Sequence, residues 1–264
     1  ESCRRAGLDA ELLEVSVNEP ILQVLARLTE AEPAAIGLEV HIWNRSYVLE
    51  LASLVRKVLP DCLLLAGGPE VLFHPVETLT AAPALDAVVC GEGDEIVPAF
   101  LQEVERFQRK HPSWTRQDLL RSVAPSEGFA WRQEDGSIAA PSRPVVVEEL
   151  DNLPFPYPDL EDVIRDHKIL YYESSRGCPF HCAYCLSGIT RTVRYRSVPL
   201  VLQDLDRMVA AGAALVKFVD RTFNLDESHY LPILEHLAGL DTNATFHFEI
   251  KADILTPRVV AFLK

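Results

Sequence analysis

Two short runs, Cys62–Ala66 and Ala87–Cys90, are apolar at every position. A strand with one wet face alternates polar and apolar residues. A strand that is apolar throughout is buried on both faces, as in a parallel sheet covered by helices. The neighbouring segments carry the helical period. Ile21–Thr29 and Glu95–Phe107 are amphipathic, and 47–59 places Val48, Leu51, Ala52, Val55 and Leu59 on one face. A short helix is expected over 78–82, and further strands over 11–17 and 35–42. This rhythm predicts a doubly wound α/β unit over 1–107. Residues 1–7 read as the tail of a helix, whereas such a unit normally opens with a strand. The first strand is therefore expected to lie outside the chain. The chain starts at Glu1 without an initiator Met and stops at Lys264 inside a helical pattern over 256–264, so it reads as a fragment of a longer protein.

Residues 108–168 break the rhythm. Asp135-Gly136 between strand-like runs predicts a hairpin over 129–138. Pro154, Pro156 and Pro158 then stiffen 148–159, which reads as a semi-rigid interdomain linker. The β/α pattern returns over 169–264. Strands are expected over 169–174, 215–219 and 245–250. Helices are expected over 200–211, with Ser197 as N-cap and Gly212 at the end, and over 227–237. Three β/α units in series predict the N-terminal part of a parallel (β/α) barrel.

Of the 264 residues, 25 are basic and 39 acidic, so the net charge is −14. The field of such a chain repels phosphate backbones, and no general nucleic-acid partner is expected. No apolar run approaches the roughly 18 residues that span a bilayer, and no signal-peptide pattern opens the chain. Six cysteines are too few for a stapled secreted scaffold. Their clustering suggests metal chemistry in a reduced compartment, which points to the cytoplasm.

Half of the cysteines fall in one loop. Cys178, Cys182 and Cys185 are spaced C-x3-C-x2-C, directly after the first barrel-type strand. Three thiolates within eight residues can converge on one iron–sulfur cluster. Because such clusters usually take four cysteine ligands, three leave one iron open to a substrate or cofactor. His181 lies among them, so a Cys3His zinc site is the plainer alternative. It is cramped, since zinc sites usually draw two ligand pairs from separated segments. Exposed free thiols without a role would oxidise.

The segment Ser175-Arg176-Gly177-Cys178-Pro179-Phe180-His181-Cys182-Ala183-Tyr184-Cys185 resembles the radical S-adenosylmethionine (radical SAM) superfamily. The resemblance implies that the three cysteines hold a 4Fe-4S cluster and that Tyr184 lies near the SAM adenine. It also implies reductive cleavage of SAM to a 5'-deoxyadenosyl radical. Phe218-Val219-Asp220-Arg221-Thr222-Phe223 is similar to the F-x-D-D-x-F segment of the cobalamin-associated branch. This places Asp220 near the SAM amino group, with Arg221 where that branch often has a second Asp. Arg221 is read either as a bidentate holder of a SAM or substrate carboxylate or as one half of a local salt bridge. Alternation along 245–250 puts His247, Glu249 and Lys251 on one face. Glu249 and Lys251 are SAM or substrate candidates, or else a polar pair at the barrel rim.

Gly67-Gly68-Pro69-Glu70 and Gly91-Glu92-Gly93 each follow an apolar strand. A glycine pair at a strand end is by itself only a turn. The order of a doubly wound unit, these turns, a Pro-rich segment and the cysteine loop looks like a cobalamin-binding domain fused to a radical SAM barrel. The resemblance implies that Gly67, Gly68 and Pro69 approach the cofactor, along with the loops at 39–44 and 90–94. Trp43 and Asn44 are candidates for the corrin edge, with surface packing the plainer reading for Trp43. The D-x-H-x-x-G motif that supplies a cobalt ligand does not occur. In this branch cobalamin can carry a methyl group to an unactivated carbon of a small-molecule substrate. A flavodoxin or ferredoxin is the implied electron donor.

Two other assignments stay open. Cys3, Cys62 and Cys90 make a second trio, as in methylthiotransferases with a second cluster, although Cys62 and Cys90 lie in apolar strands and read as buried residues. A corrinoid carrier without catalysis is the other. His41, His74, His111, His167, His229 and His236 show no ligand spacing and are expected at the surface or as satisfied core residues.

Overall fold

In the computed structural model, which describes residues 1–123, 127–133, 135–166, 169–185 and 192–262, the chain divides into two compact units at Val147/Glu148. The first contains α1 (Ser2–Arg5), α2 (Ile21–Glu30), β1 (Ala35–Glu39), α3 (Arg45–Val58), β2 (Leu63–Gly67), α4 (Pro75–Ala81), β3 (Ala87–Val89), α5 (Gly93–Lys110), α6 (Arg116–Ser122), β4 (Phe129–Arg132) and β5 (Ile138–Ala139). The sheet order is β1-β2-β3-β4-β5. β1, β2 and β3 are parallel, and β4 and β5 are antiparallel. Alternation along β2 explains its unbroken apolar run. Leu64 and Ala66 enter a core with Val24, Leu51, Val55 and Leu79. Leu63 and Leu65 enter a second core with Phe100, Val104 and Leu119. Both faces are covered, as the composition of the strand requires.

The second unit contains α7 (Leu160–Arg165), β6 (Leu170–Tyr172), β7 (Ser175–Arg176), β8 (Arg194–Tyr195), α8 (Val198–Ala210), β9 (Leu215–Phe218), α9 (Glu227–Gly239), β10 (Thr245–His247) and α10 (Pro257–Phe262). β10, β9 and β6 form a parallel sheet in that order. Leu170, Tyr172, Val216, Phe218 and Phe246 pack with Val201, Leu205, Ile233 and Leu234 of the helices. On the opposite face Tyr171, Lys217 and His247 are register partners across the three strands. Tyr171 and His247 are exposed there. The unit is thus a partial barrel wall, with helices packed on one face.

Several segments differ from expectation. Residues 11–17 make no ladder pairing. Leu12 is exposed, and the end of the run is taken up by a turn in which Glu19 accepts from the Ser16 N–H and pairs with Arg27. The hairpin belongs to the sheet of the first unit, because β4 pairs with β3. The Pro-rich segment is packed onto the second unit and does not run free. Leu150 is buried, Arg196 donates to the carbonyls of Leu150 and Leu153, and the Arg207 guanidinium lies 4.2 Å from the Phe155 ring centroid. The Tyr157 hydroxyl bonds to the main chain of Tyr171 on the edge strand β6. Ser197 precedes α8 without a side-chain cap, its N–H donating instead to Asp151. Of the final predicted helix, residues 263–264 lie outside the described residues, as does His167.

Each unit is held by one buried ionic network. In the second, Asp204 accepts from Arg196 at 2.9 Å and from the Tyr172 hydroxyl at 2.8 Å. In the first, Asp86 is fully buried between Arg56 (2.7 Å) and Arg116, and also accepts from the Leu64 N–H. Arg56 further donates to the carbonyls of Pro60, Cys62 and Ala84, tying the start of β2 to the turn before β3. Removing one partner strands the buried charges of the others. Asp86→Ala is therefore expected to destabilise the first unit by about 3–5 kcal/mol. All three tryptophans (Trp43, Trp114, Trp131) lie in that unit, so urea unfolding followed by tryptophan fluorescence reads the loss there alone.

Candidate functional site

The cysteine loop leaves the sheet through a buried polar cluster. Asp220 follows β9 and is fully buried. Its carboxylate accepts from the Ser174 N–H (3.1 Å), the Ser174 hydroxyl (2.7 Å) and the Ser175 hydroxyl. The Ser174 hydroxyl donates its one hydrogen bond to Asp220, so it accepts from His229 Nε2 at 3.2 Å. That assignment fixes the His229 tautomer. His229 is itself buried, with its ring 4.6 Å from that of Tyr195. Burial pushes the Asp220 pKa up despite the hydrogen bonds from Ser175 and Ser174 that oppose it. Burial pushes the His229 pKa down, so the imidazole is held neutral. The cluster ties the ends of β6 and β9 together one step before the loop begins.

β7 then pairs with β8, Ser175 opposite Tyr195 and Arg176 opposite Arg194. Gly177 turns the chain with φ +105°, and a Cβ there would run into the Thr192 carbonyl. This position requires glycine. Of the three loop cysteines, Cys178 is buried, and its Sγ lies 3.7 Å from the Thr222 hydroxyl. Cys182 and Cys185 are exposed, on a turn closed by the Cys185 N–H on the Cys182 carbonyl. His181 turns away, with Nδ1 3.0 Å from the Pro179 carbonyl. Among the described residues no three His, Cys, Asp or Glu side chains are already gathered to hold a metal ion. The donor set still suits an iron–sulfur cluster: three thiols on one short loop, one anchored and two open to solvent.

The other predicted residues separate by role. Asp220 does not face an open site; its carboxylate is committed to Ser174 and Ser175. Arg221 is exposed and makes no ion pair among the described residues. Tyr184 is 93% exposed, on the turn between Cys182 and Cys185. The third strand stops at His247, shorter than expected, because side chains and loops replace the ladder. The Glu249 carbonyl accepts from the Phe223 N–H, and the Asn224 amide clamps both the N–H and the carbonyl of Lys251. The Glu249 side chain is exposed. Lys251 pairs with Asp253, and its Nζ lies 4.7 Å from the Phe180 ring centroid, which brings it against the cysteine loop.

In the first unit the loops at the C-terminal ends of β1 and β2 are locked together. The Val40 N–H donates to the Gly67 carbonyl, and Gly68 (φ +101°) leaves no room for a Cβ, which would sit 2.6 Å from the Val40 carbonyl. Pro69 continues that half-buried turn. The Asn44 side chain is used inside the loop, accepting from the His41 N–H and donating to the Glu39 carbonyl. Its work is to shape the loop, not to offer a free amide. The loop so formed projects Ile42 and Trp43 outward, 78% and 70% exposed, with Trp43 stacked on His41 at 4.4 Å. The turn at 90–94 is covered by its own chain. Gly91 bridges to Val145, and Glu92 bonds to Val145 and Val147 through its N–H and carboxylate.

Among the described residues the second cysteine trio is not gathered to hold a metal ion. Cys62 and Cys90 are buried core residues whose thiols lie against main-chain carbonyls. Burial pushes the Cys62 thiol pKa up to about 12 and raises those of Cys90 and Cys3. Thiols so disfavoured as thiolates are poor metal ligands.

Residues 1–101 match the B12 binding domain family. Among curated proteins, an uncharacterized methyltransferase of Pyrococcus horikoshii is 27% identical over 81% of this chain and 46% of its own length. The cobalamin-dependent radical SAM methyltransferase TokK of Streptomyces tokunonensis is 27% identical over 58% of this chain and 22% of its own. The solved structure of the cobalamin-dependent S-adenosylmethionine radical enzyme OxsB, with aqua-cobalamin and S-adenosylmethionine bound, superposes with a TM-score of 0.73 at 22% identity. That match covers 95% of this chain and 35% of that one. The chain thus shares the fold of the matching part of OxsB. The chain spans less than half the length of these relatives.

Ser174, Ser175, His229, Thr222 and Asn224 organise the base of the cysteine loop, and none of them is a site candidate in the sequence. Ser175 and Thr222 lie inside quoted motifs. The others are joined by contacts 27 to 55 residues apart, which no local pattern reveals.

Two outcomes are expected. Gly177→Ala should prevent the loop from closing on Thr192 and lower iron bound per chain after reconstitution, measured by iron and sulfide assay. Burial holds the His229 pKa below its ordinary value of 6.5, so as the pH falls below that value the unfolded chain binds more protons than the folded one. Stability is present above 6.5 and is lost as pH falls through the folded value. Six of the seven tyrosines lie in the second unit, so thermal unfolding by tyrosine near-UV circular dichroism reads it. His229→Gln should flatten this acid sensitivity.

Proposed function

We propose that the chain is the cobalamin-binding and cluster-binding part of a radical SAM methyltransferase acting on a small molecule in the cytoplasm. One observation carries the reading: three cysteines with radical SAM spacing, launched from the C-terminal edge of a partial barrel wall, behind a B12 binding domain. Cys178, Cys182 and Cys185 are the ligands of the 4Fe-4S cluster. When bound, that cluster supplies the electron that splits SAM to a 5'-deoxyadenosyl radical, and cobalamin carries the methyl group. The protein's share is positioning. Tyr184 and Glu249 reach solvent near the loop and are free to meet SAM. Arg221, exposed at the end of β9, is a bidentate donor for a carboxylate of SAM or substrate. Lys251, against Phe180, steadies the loop. Asp220 and His229 act from below through Ser174. Trp43 offers a broad apolar face to the corrin, with Gly67, Gly68 and Pro69 forming the adjacent turn. A flavodoxin or ferredoxin supplies the electron.

The test uses the full-length protein, reconstituted without oxygen. After dithionite reduction it should show the EPR signal of a reduced 4Fe-4S cluster, altered by added SAM. The signal should vanish when Cys178, Cys182 and Cys185 are replaced by Ala. Iron should correspond to one cluster; iron for two would revive the methylthiotransferase assignment. Stoichiometric zinc with no cluster signal would leave a metal-stabilised binding module. A bound corrinoid without SAM cleavage would leave a carrier.

A further inference from the structure

Thr222 stands two residues beyond Asp220 and is buried, 8% exposed. Its hydroxyl faces two groups, the Cys178 Sγ at 3.7 Å and the Arg221 carbonyl at 2.8 Å. A hydroxyl has one proton to give. In the free-thiol state that proton goes to the Arg221 carbonyl, and the Cys178 S–H donates to the Thr222 oxygen. A cysteine bound to iron has lost its proton and carries negative charge, so it can only accept. The contact then survives only if the Thr222 hydroxyl turns from the carbonyl to the sulfur, a short rotation about one bond toward the more negative acceptor.

We infer that Thr222 is the outer hydrogen-bond donor to the Cys178 sulfur, a positioning residue that orients this ligand and raises the reduction potential of the cluster. The inference rests on the iron–sulfur reading above. A donor beside a ligand sulfur stabilises the reduced, more negative cluster more than the oxidised one, which moves the potential upward. Cys182 and Cys185 are exposed, where solvent evens out such effects, so the buried Cys178 is the ligand at which one protein donor matters most.

The experiment is an EPR-monitored redox titration of the reconstituted full-length protein as wild type, Thr222→Val and Thr222→Ser. Val keeps the shape and removes the donor; Ser keeps the donor. The expected result is a potential shifted negative in Thr222→Val and unchanged in Thr222→Ser. Loss of the cluster from Thr222→Val, with retention in Thr222→Ser, supports the same assignment. An unmoved Thr222→Val potential overturns it. So does a Thr222→Ser variant that shifts, or loses its cluster, as Thr222→Val does, because packing of the methyl group would then be responsible. Absence of a 4Fe-4S signal in the wild type overturns the iron–sulfur reading and this inference with it. A normal wild-type signal with an unmoved Thr222→Val potential overturns this inference alone.

Discussion

The buried carboxylate of Asp220 is the constraint on which the second unit depends. A carboxylate taken out of water must find donors or lose its charge. Here the donors are the main chain of Ser174 and the hydroxyls of Ser174 and Ser175, the last residues before the cysteine loop. Satisfying Asp220 therefore fixes where the loop starts. Neutral His229 completes the chain of hydrogen bonds from α9 and brings the helix layer into the same arrangement. The loop is consequently anchored on two strands and a helix while its outer cysteines stay exposed. A rigid root with an open tip is what a ligand loop needs if it is to close around a cluster without moving the sheet.

The first unit solves a related problem with main-chain contacts. The β1 and β2 loops approach so closely that Gly68 has no room for a side chain, and the Asn44 amide bonds the turn from Glu39 to His41 through both its oxygen and its nitrogen. These polar groups are consumed in making a firm platform. What the platform presents is apolar: Ile42 and the face of Trp43. A surface of that kind suits a large flat ligand held mainly by contact area, with few directed hydrogen bonds.

What the sequence made legible follows the range of the interaction. The unbroken apolar strands β2 and β3, the helices around them and the cysteine spacing are written in neighbouring residues, and the wall and loop lie where those patterns put them. The run 11–17 has strand composition, yet β1 pairs only with β2 among the described strands, so its leucines stay wet. The hairpin was readable as a hairpin, but its pairing with β3 is a tertiary choice. The prolines of 148–159 correctly signal extended chain. That this chain is fastened by Arg196 and Arg207 depends on residues some 40 to 50 positions away. His229 read as an ordinary histidine because its partner, Ser174, is 55 residues distant.

The same reasoning explains why Arg221 is tolerated where the branch often carries a second acid. Past the end of β9, side chains still alternate: Asp220 is buried, Arg221 is exposed, and Thr222 is buried again. The inward pair holds the loop, Asp220 through the two serines and Thr222 against Cys178. The outward position is free of that task, so a change of charge there costs the scaffold nothing it relies on. It changes only the charge shown to solvent, from a negative group to a guanidinium. The departure from the motif thus falls on the one residue of the three that faces outward, where it leaves the anchoring intact.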